Sequence, residues 1–489
     1  MLREGGNAVD ACVAAAFASW VAESPLTGPG SGGFMLVHTA RDRTTRVLDF
    51  FVDVPGLGGR RPNVAEMEQV DVEFAESSQS FRIGAASCAV PGAAAGLEYA
   101  HHAYGSLPWP ALVEPAVELA HDGIELTRPQ AHLHAMLDLI LRHTDEGRRL
   151  YGQDGRRLVA GETLVLADLG DTLERIGRNG ARELYDGAVA RDIVRYVRDH
   201  GGPLTLEDMR SYRVIRRRPV RGRLFGYDFE SNPPPSTGGV LIAYGLRLLD
   251  DLGRAGPAGS AESMAQLVEI MREQDLARGG RFGRDLYRGG LAARLHGDAA
   301  VAAGLERVRG TTHISAVDER GNAASLTAST GSGSGVIVPG TGIHLNNMLG
   351  EFDLAGAGTT ARPGTRMTSM MAPSLVLRDG LPRLVVGSAG SRRLRGAIMQ
   401  IVVNSLAHEL PVEEAIGRPR VHVEDSQVHC EGGADPAELD RLEARGYDLV
   451  RWRRRNLFFG GASAVEMLAD GTVAAAGDPR RGGAGIVVG

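Results

Sequence analysis

TTHISAVDERGNAASLTAST, residues 311–330, reads as a strand, a turn over Glu319–Asn322 and a second strand, a hairpin whose first residue follows a glycine. A Thr-Thr pair opening a strand is ordinary β propensity when taken alone. Its chemistry gives it interest. A threonine hydroxyl is a weak nucleophile until a base takes its proton, and a free α-amino group on the same residue can be that base. The pKa of such an amine, near ~7.7–8.0, suits neutral solution. Thr311 acquires the amine only if the Gly310–Thr311 bond is cut, and Gly310 leaves room for the hydroxyl to attack the glycine carbonyl.

Beyond the hairpin the texture is short strands and glycines. LRDGLPRLVVGS (377–388) reads as a second hairpin, and 350–366 as a Gly/Ala-rich loop. LVVGSAGSRRLRGAIMQIVV (384–403) reads as strand, glycine turn and helix, with apolar positions 394, 397, 398, 401 and 402 on one helical face. Backbone N–H groups at such a helix start can form an oxyanion hole, which makes Gly390 and Ser391 the candidate donors. Before residue 311 the order is a nearly all-apolar helix (7–22), a glycine turn GPGSGG (28–33) and a strand (34–40). Helical periodicity follows at 109–122 and 179–200. Paired strands at 218–231 then end in a rigid turn, PPPSTGG (233–239), and helix extends from about 240 to 295. No internal repeat or low-complexity linker divides 1–489, which predicts one domain built as a sheet sandwich covered by helices.

Several chemistries are excluded. All 54 basic residues are arginine, so no Schiff-base lysine, Walker lysine or Ser–Lys dyad is available. A net charge of −6 and the absence of a basic tail argue against nucleic-acid binding. Cys12, Cys88 and Cys430 are too few and too scattered for a disulfide framework or a zinc site. His132/His134 and His422/Glu424, at i,i+2 as on one face of a strand, fall short of a metal-ligand set and read as surface or core residues, so no metal is expected. No apolar run reaches the ~18 residues of a membrane span. Residues 11–22 resemble a leader core, but Glu4 and Asp10 outweigh Arg3 before them, so a buried Ala-rich helix is expected. The abrupt start predicts that upstream residues, with any true leader, are missing. Gly28–Gly33 fits G-x-G-x-x-G, but helix precedes it and strand follows, the reverse of a dinucleotide site. No serine occupies the third position of G-x-S-x-G; GSGSG (331–335) has glycine there.

The ordered set GGNAVDACVAAAFA (5–18), SGGFMLV (31–37), VPGAAAGLEYAHHAYGSLPW (90–109), PVRGRLFGYDFESNPPPSTGGV (219–240), TTHISAVDERGNAASLT (311–327), GIHLNN (342–347), MAPSLVLRDG (371–380), GSAGSRR (387–393) and GDPRRGG (477–483) resembles the γ-glutamyltranspeptidase family of N-terminal-nucleophile (Ntn) hydrolases. The resemblance implies a four-layer αββα fold and no cofactor. It also implies self-cleavage into a large subunit (1–310) and a small one (311–489) that stay associated, acting on a small-molecule amide. By position it makes Thr311 the nucleophile and puts Ser329 where a supporting threonine hydroxyl stands. Gly390 and Ser391 become the oxyanion hole, and Ser369 one of two serines holding a glutamyl carboxylate.

The departures cluster at the glutamyl head. Where the family has an arginine after the strand-ending Asp-Phe, Asp49-Phe50 is followed by Phe51, and the second serine is Met370. The amino-group ligands, Asn, Gln or Glu, and Asp in the family, appear as Gly331, Met348 and Glu351. Arg366, Arg392, Arg393 and Arg395 are the arginines near enough in sequence to stand in for the missing one. A γ-glutamyl amide is the family-default substrate. An acylase of the cephalosporin-acylase kind is the alternative, with Phe51, Met348 and Met370 suiting a more apolar acyl group. An inactive homologue serving as a scaffold is the alternative of another class.

Overall fold

The computed structural model describes residues 1–489 except 75–76, 279–281, 289–290, 292–294, 296–309, 352–361, 391–392 and 425. Two antiparallel sheets carry it. In the first, β1 (Gly32–Thr39), β2 (Thr44–Phe50), β3 (Ile215–Arg217), β6 (Gly310–Val317) and β7 (Ala323–Gly331) run in the order β6-β7-β1-β2-β3. In the second, β4 (Val220–Leu224), β5 (Tyr227–Ser231), β8 (Ser374–Arg378), β9 (Leu381–Ala389), β10 (Gly461–Met467) and β11 (Val473–Gly477) run in chain order. The expected hairpins at 218–231, 311–330 and 377–388 are all present.

Alternation along the strands sets the layers. On β1, Met35 and Val37 join one large apolar cluster with helices α1 (Ala8–Ala22), α2 (Ala93–Tyr104), α3 (Trp109–Asp122) and α4 (Ala167–Asn179). Leu36 points the other way and meets Leu375, Leu377, Val385 and Val465 of the second sheet. The far face of the second sheet packs on α5 (Gly238–Leu252), α6 (Ala261–Ala277), α7 (Arg393–Leu406) and α8 (Val412–Gly417). The result is helix, sheet, sheet, helix, the four-layer αββα sandwich.

Helix α1 starts at an Asn7 capping box: the Asn7 side chain accepts from Val9 and Asp10, and Asp10 accepts from the Asn7 N–H. Its Ala-rich surface is buried in the core, as the composition predicts. Three helical readings change in detail. The 179–200 stretch is two helices, Arg182–Tyr185 and Ala188–Asp199, and the 240–295 stretch breaks after Leu252, where Gly253 takes a positive φ of 72°. Helix α7 is buried from Arg393 through Val403 and not on one face alone, because it lies between the second sheet and the other helices. No helix among the described residues is long and apolar enough to cross a membrane.

Candidate active site

Thr311 lies on the edge strand β6, at an irregularity in the ladder. Gly310 pairs with Gly331 and Thr312 with Ala328, so two residues, Ser329 and Thr330, face the single residue Thr311. A bulge of this kind re-aims a side chain and ends regular pairing. It sets Ser329 across the ladder from Thr311, with both residues buried. The Ser329 hydroxyl oxygen accepts the Gly331 N–H at 2.8 Å, which ties it to the strand end. The carbonyl of Thr311 accepts from Arg481 Nη1 at 2.5 Å, and the neighbouring Thr312 hydroxyl donates to Glu23 at the C-cap of α1.

The second sheet brings the candidate oxyanion turn to the same end. His313 lies against Gly387 of β9, and its backbone carbonyl accepts from Ser463 of β10 at 3.2 Å. Strand β9 ends at Ala389, opposite Gly461, and Gly390 follows with φ 123°, a conformation that favours glycine. A Cβ on Gly390 would lie 3.0 Å from Gly460 Cα, tighter than an ordinary contact. Ser391 and Arg392 lie outside the described residues.

Across the first sheet a single rung links Thr312, Ala328, Gly33 and Phe50. Thr311, Ser329, Gly32 and Phe51 therefore belong to one end of the sheet, and Phe51 stands three strand spacings, about 14 Å of backbone, from Thr311. There the Phe51 ring stacks on Phe34 with centroids 5.5 Å apart, inside a separate apolar cluster with Val52, Val54, Met348, Met367 and Met371. Phe51 and Met348 thus converge, and Met370 does not join them. Met370 packs into the helix-side core of the second sheet, its sulfur against the Thr237 hydroxyl. Adjacent residues of an extended segment point opposite ways, so Met371 and not Met370 faces Phe51. Ser369 is buried next to them, its Oγ accepting from Met371 N at 3.1 Å.

On the polar side, Gly331 has φ 77°, and a Cβ there would run into Asn347 Oδ1 and lie 2.7 Å from Glu351 Oε1. The buried Glu351 therefore sits against the strand end that carries Ser329.

Three of the stand-in arginines, Arg366, Arg393 and Arg395, have partners of their own, and Arg392 lies outside the described residues. Arg366 is buried in a structural network: it pairs with Asp49 at 3.2 Å and Asp53 at 2.8 Å, and donates to Phe51 O at 2.5 Å, Tyr212 Oη at 2.7 Å and Arg213 O at 2.6 Å. Burial pushes the Asp53 carboxyl up to about 6, against the pull of Arg366. Arg395 pairs with Asp275 at 2.5 Å, and Arg393 stacks its guanidinium 4.2 Å from the Phe458 ring centroid. Of the paired histidines, His134 and His422 are buried and His132 is exposed. His132 and His134 lie on a helix, Arg128–Met136, and not on a strand; His134 is buried against Tyr151, and burial pushes it down to about 4. His422 is buried on the strand Val421–Glu424. Among the described residues no three His, Cys, Asp or Glu side chains group to hold a metal ion.

Sequence reasoning missed Glu23, Asn347 and Arg481. In the sequence Glu23 is the acid that closes an apolar helix, and Arg481 lies in GDPRRGG (477–483).

The family described as Gamma-glutamyltranspeptidase matches residues 1–488. The glutathione hydrolase proenzyme of Escherichia coli strain K12 is 31% identical over 521 residues, covering 98% of this chain and 87% of the relative. The Acylase ACY 1 proenzyme of Pseudomonas sp. strain SE83 is 30% identical, covering 100% and 90%. The crystal structure of cephalosporin acylase from Bacillus halodurans superposes with a TM-score of 0.82 at 24% identity, covering 99% of this chain and 91% of that one, a likeness of fold.

Proposed function

The chain belongs to the γ-glutamyltranspeptidase family, and from that premise we propose that it is an Ntn amidohydrolase or acyltransferase made as one precursor over 1–489. The Thr311 hydroxyl attacks the Gly310 carbonyl, the peptide becomes an ester on Oγ1, and water hydrolyses that ester. Segments 1–310 and 311–489 result and remain associated through the sheet they share. The new α-amine of Thr311 then takes the hydroxyl proton as Oγ1 attacks the substrate amide. Backbone N–H groups at Gly390–Ser391 receive the oxyanion. The amine passes its proton to the leaving nitrogen, and water or an acceptor amine releases the acyl group from Thr311.

The observation that carries this reading is the ladder irregularity that sets Ser329 and Thr330 against the single residue Thr311. Relatives named as hydrolases and acylases give a scaffold role no support. Gel electrophoresis tests the reading. Wild type is expected as two bands, while Thr311→Ala stays one chain of 51.9 kDa without turnover. An uncut Thr311→Ala protein that still hydrolyses an amide would falsify the nucleophile.

The acyl group is a second question. The cluster of Phe34, Phe51, Met348, Met367 and Met371 favours an acylase reading over the γ-glutamyl default, with an acyl chain less polar than glutamyl. Glu351 remains the charged group on that side of the nucleophile. A panel of γ-glutamyl, glutaryl and butyryl anilides tests it: butyryl is expected to be hydrolysed at least as well as γ-glutamyl.

A further inference from the structure

Arg481 reaches the nucleophile's own backbone from the opposite end of the chain. Its Nη1 donates to the Thr311 carbonyl at 2.5 Å, across 170 residues. The bond cut in processing lies on the other side of Thr311, so this contact is made by an oxygen that cleavage leaves in place. The arm is held at its base. Asp478 caps the 3₁₀ turn Pro479–Arg481, and Arg481 N–H donates to Asp478 O at 3.1 Å. Asp478 itself pairs with Arg420 at 2.7 Å and Arg480 at 3.0 Å, with all three side chains buried. The arm then crosses Gly461, where a Cβ would collide with Arg481 Cδ and lie 2.6 Å from Cγ. Glu23, which receives the Thr312 hydroxyl, and Asp478 supply the negative charge that Arg481 feels.

We propose that Arg481 is a positioning residue for the nucleophile: its guanidinium fixes the Thr311 peptide, and with it the directions of Oγ1 and the α-amine, in both self-cleavage and turnover. The proposal rests on Thr311 being the nucleophile. A carbonyl held by a charged donor loses its bend and twist, and a small misplacement of a reacting group can cost a large factor in rate. Because Arg481 acts through Thr311, its loss lowers kcat and not substrate binding.

A double-mutant cycle on Arg481→Met and Gly461→Ala tests this. Self-cleavage is followed on gels, and kcat and KM are followed with whichever of the γ-glutamyl, glutaryl and butyryl anilides is turned over best. Gly461→Ala keeps the charge but pushes the arm aside. Each single variant is expected to slow self-cleavage and lower kcat about tenfold, the scale of one charge-assisted hydrogen bond, with KM within about twofold. The double variant should be no worse than either single one, because both remove the same contact. Arg481→Lys should recover part of kcat. Should Arg481→Met fail to fold, Gly461→Ala and Arg481→Lys carry the test alone. Unchanged kcat in the variants, additive losses, or losses that follow Tm alone would overturn the proposal. A wild-type chain that never self-cleaves would overturn the Thr311 reading instead, so the two failures are told apart.

Discussion

The two sides of this sheet end are built on opposite principles. Around Thr311 the contacts are polar and directional: the Ser329 hydroxyl accepts from Gly331, the Thr311 carbonyl accepts from Arg481, and Gly390 holds a conformation that glycine alone takes easily. Around Phe51 the side chains are apolar and mutually packed, and the nearby charge, Arg366, is spent on Asp49, Asp53 and backbone oxygens. Directional polar contacts hold reacting atoms to a fraction of an ångström. An apolar cluster only excludes water and accepts shape. A chain can therefore keep its reaction and change its acyl group by altering one side without touching the other.

The sharpest way to break the comparison is at Gly390. Proline fixes φ near −65° and removes the N–H, whereas Gly390 sits at φ 123° with Gly460 Cα close by. Gly390→Pro should lower kcat about 100–1000-fold on every anilide of the panel, as the loss of one oxyanion donor does. A loss confined to one acyl group would place Gly390 on the recognition side instead.

A smaller effect tests the segment that joins the two sides. Residues 331–351 leave the Ser329 strand and deliver Met348 and Glu351, and His344 braces their start: Gly335 N–H donates to His344 Nε2 at 3.1 Å. That nitrogen must be unprotonated to accept, and burial pushes the imidazole down to about 4. The folded pKa lies below the unfolded value near ~6.5, so the contribution is whole above pH 6.5 and is lost as pH falls toward 4. Between pH 7 and pH 5 the loss should be about 2 kcal/mol. Urea midpoints at the two pH values measure it, and His344→Gln should shrink the difference by a similar amount. An unchanged pH dependence in His344→Gln would show that other groups carry the acid sensitivity.

What the sequence made legible follows the same division. The 311–330 hairpin, the Gly390 turn and the apolar helix read at 7–22 are local patterns, each decided by a few neighbouring residues. The roles of Met370, Arg366 and Arg481 are not local. Which of Met370 and Met371 faces Phe51 depends on the register of one extended segment, and a shift of one residue exchanges their sides. Arg366 is fixed by carboxylates more than 300 residues earlier, and Arg481 by a carbonyl 170 residues away. Helix α7 looked one-faced because periodicity shows an apolar stripe but not the layers stacked on both sides.

The finest test acts on one side chain of the apolar side. Met348 is buried on the short turn Met348–Gly350, three residues before Glu351, at a position where the family resemblance expects a polar ligand for a substrate amino group. Gln is close to Met in length and volume, so Met348→Gln adds an amide without overpacking. The amide desolvates at a cost of about 1–3 kcal/mol in stability where it finds no partner, and a lower Tm is expected. γ-Glutamyl and glutaryl anilides differ only in the α-amino group, so their ratio of kcat/KM isolates its recognition. Met348→Gln should raise that ratio by several-fold, as Glu351 and the new carbonyl oxygen act on one ammonium, while butyryl anilide gains nothing. If wild type already prefers γ-glutamyl strongly over both, the head group is read by residues other than these, and the apolar side is a core and not an acyl site. If instead the ratio stays flat in Met348→Gln while all three anilides fall together, the substitution has disturbed packing alone, and Met348 does not face the acyl group.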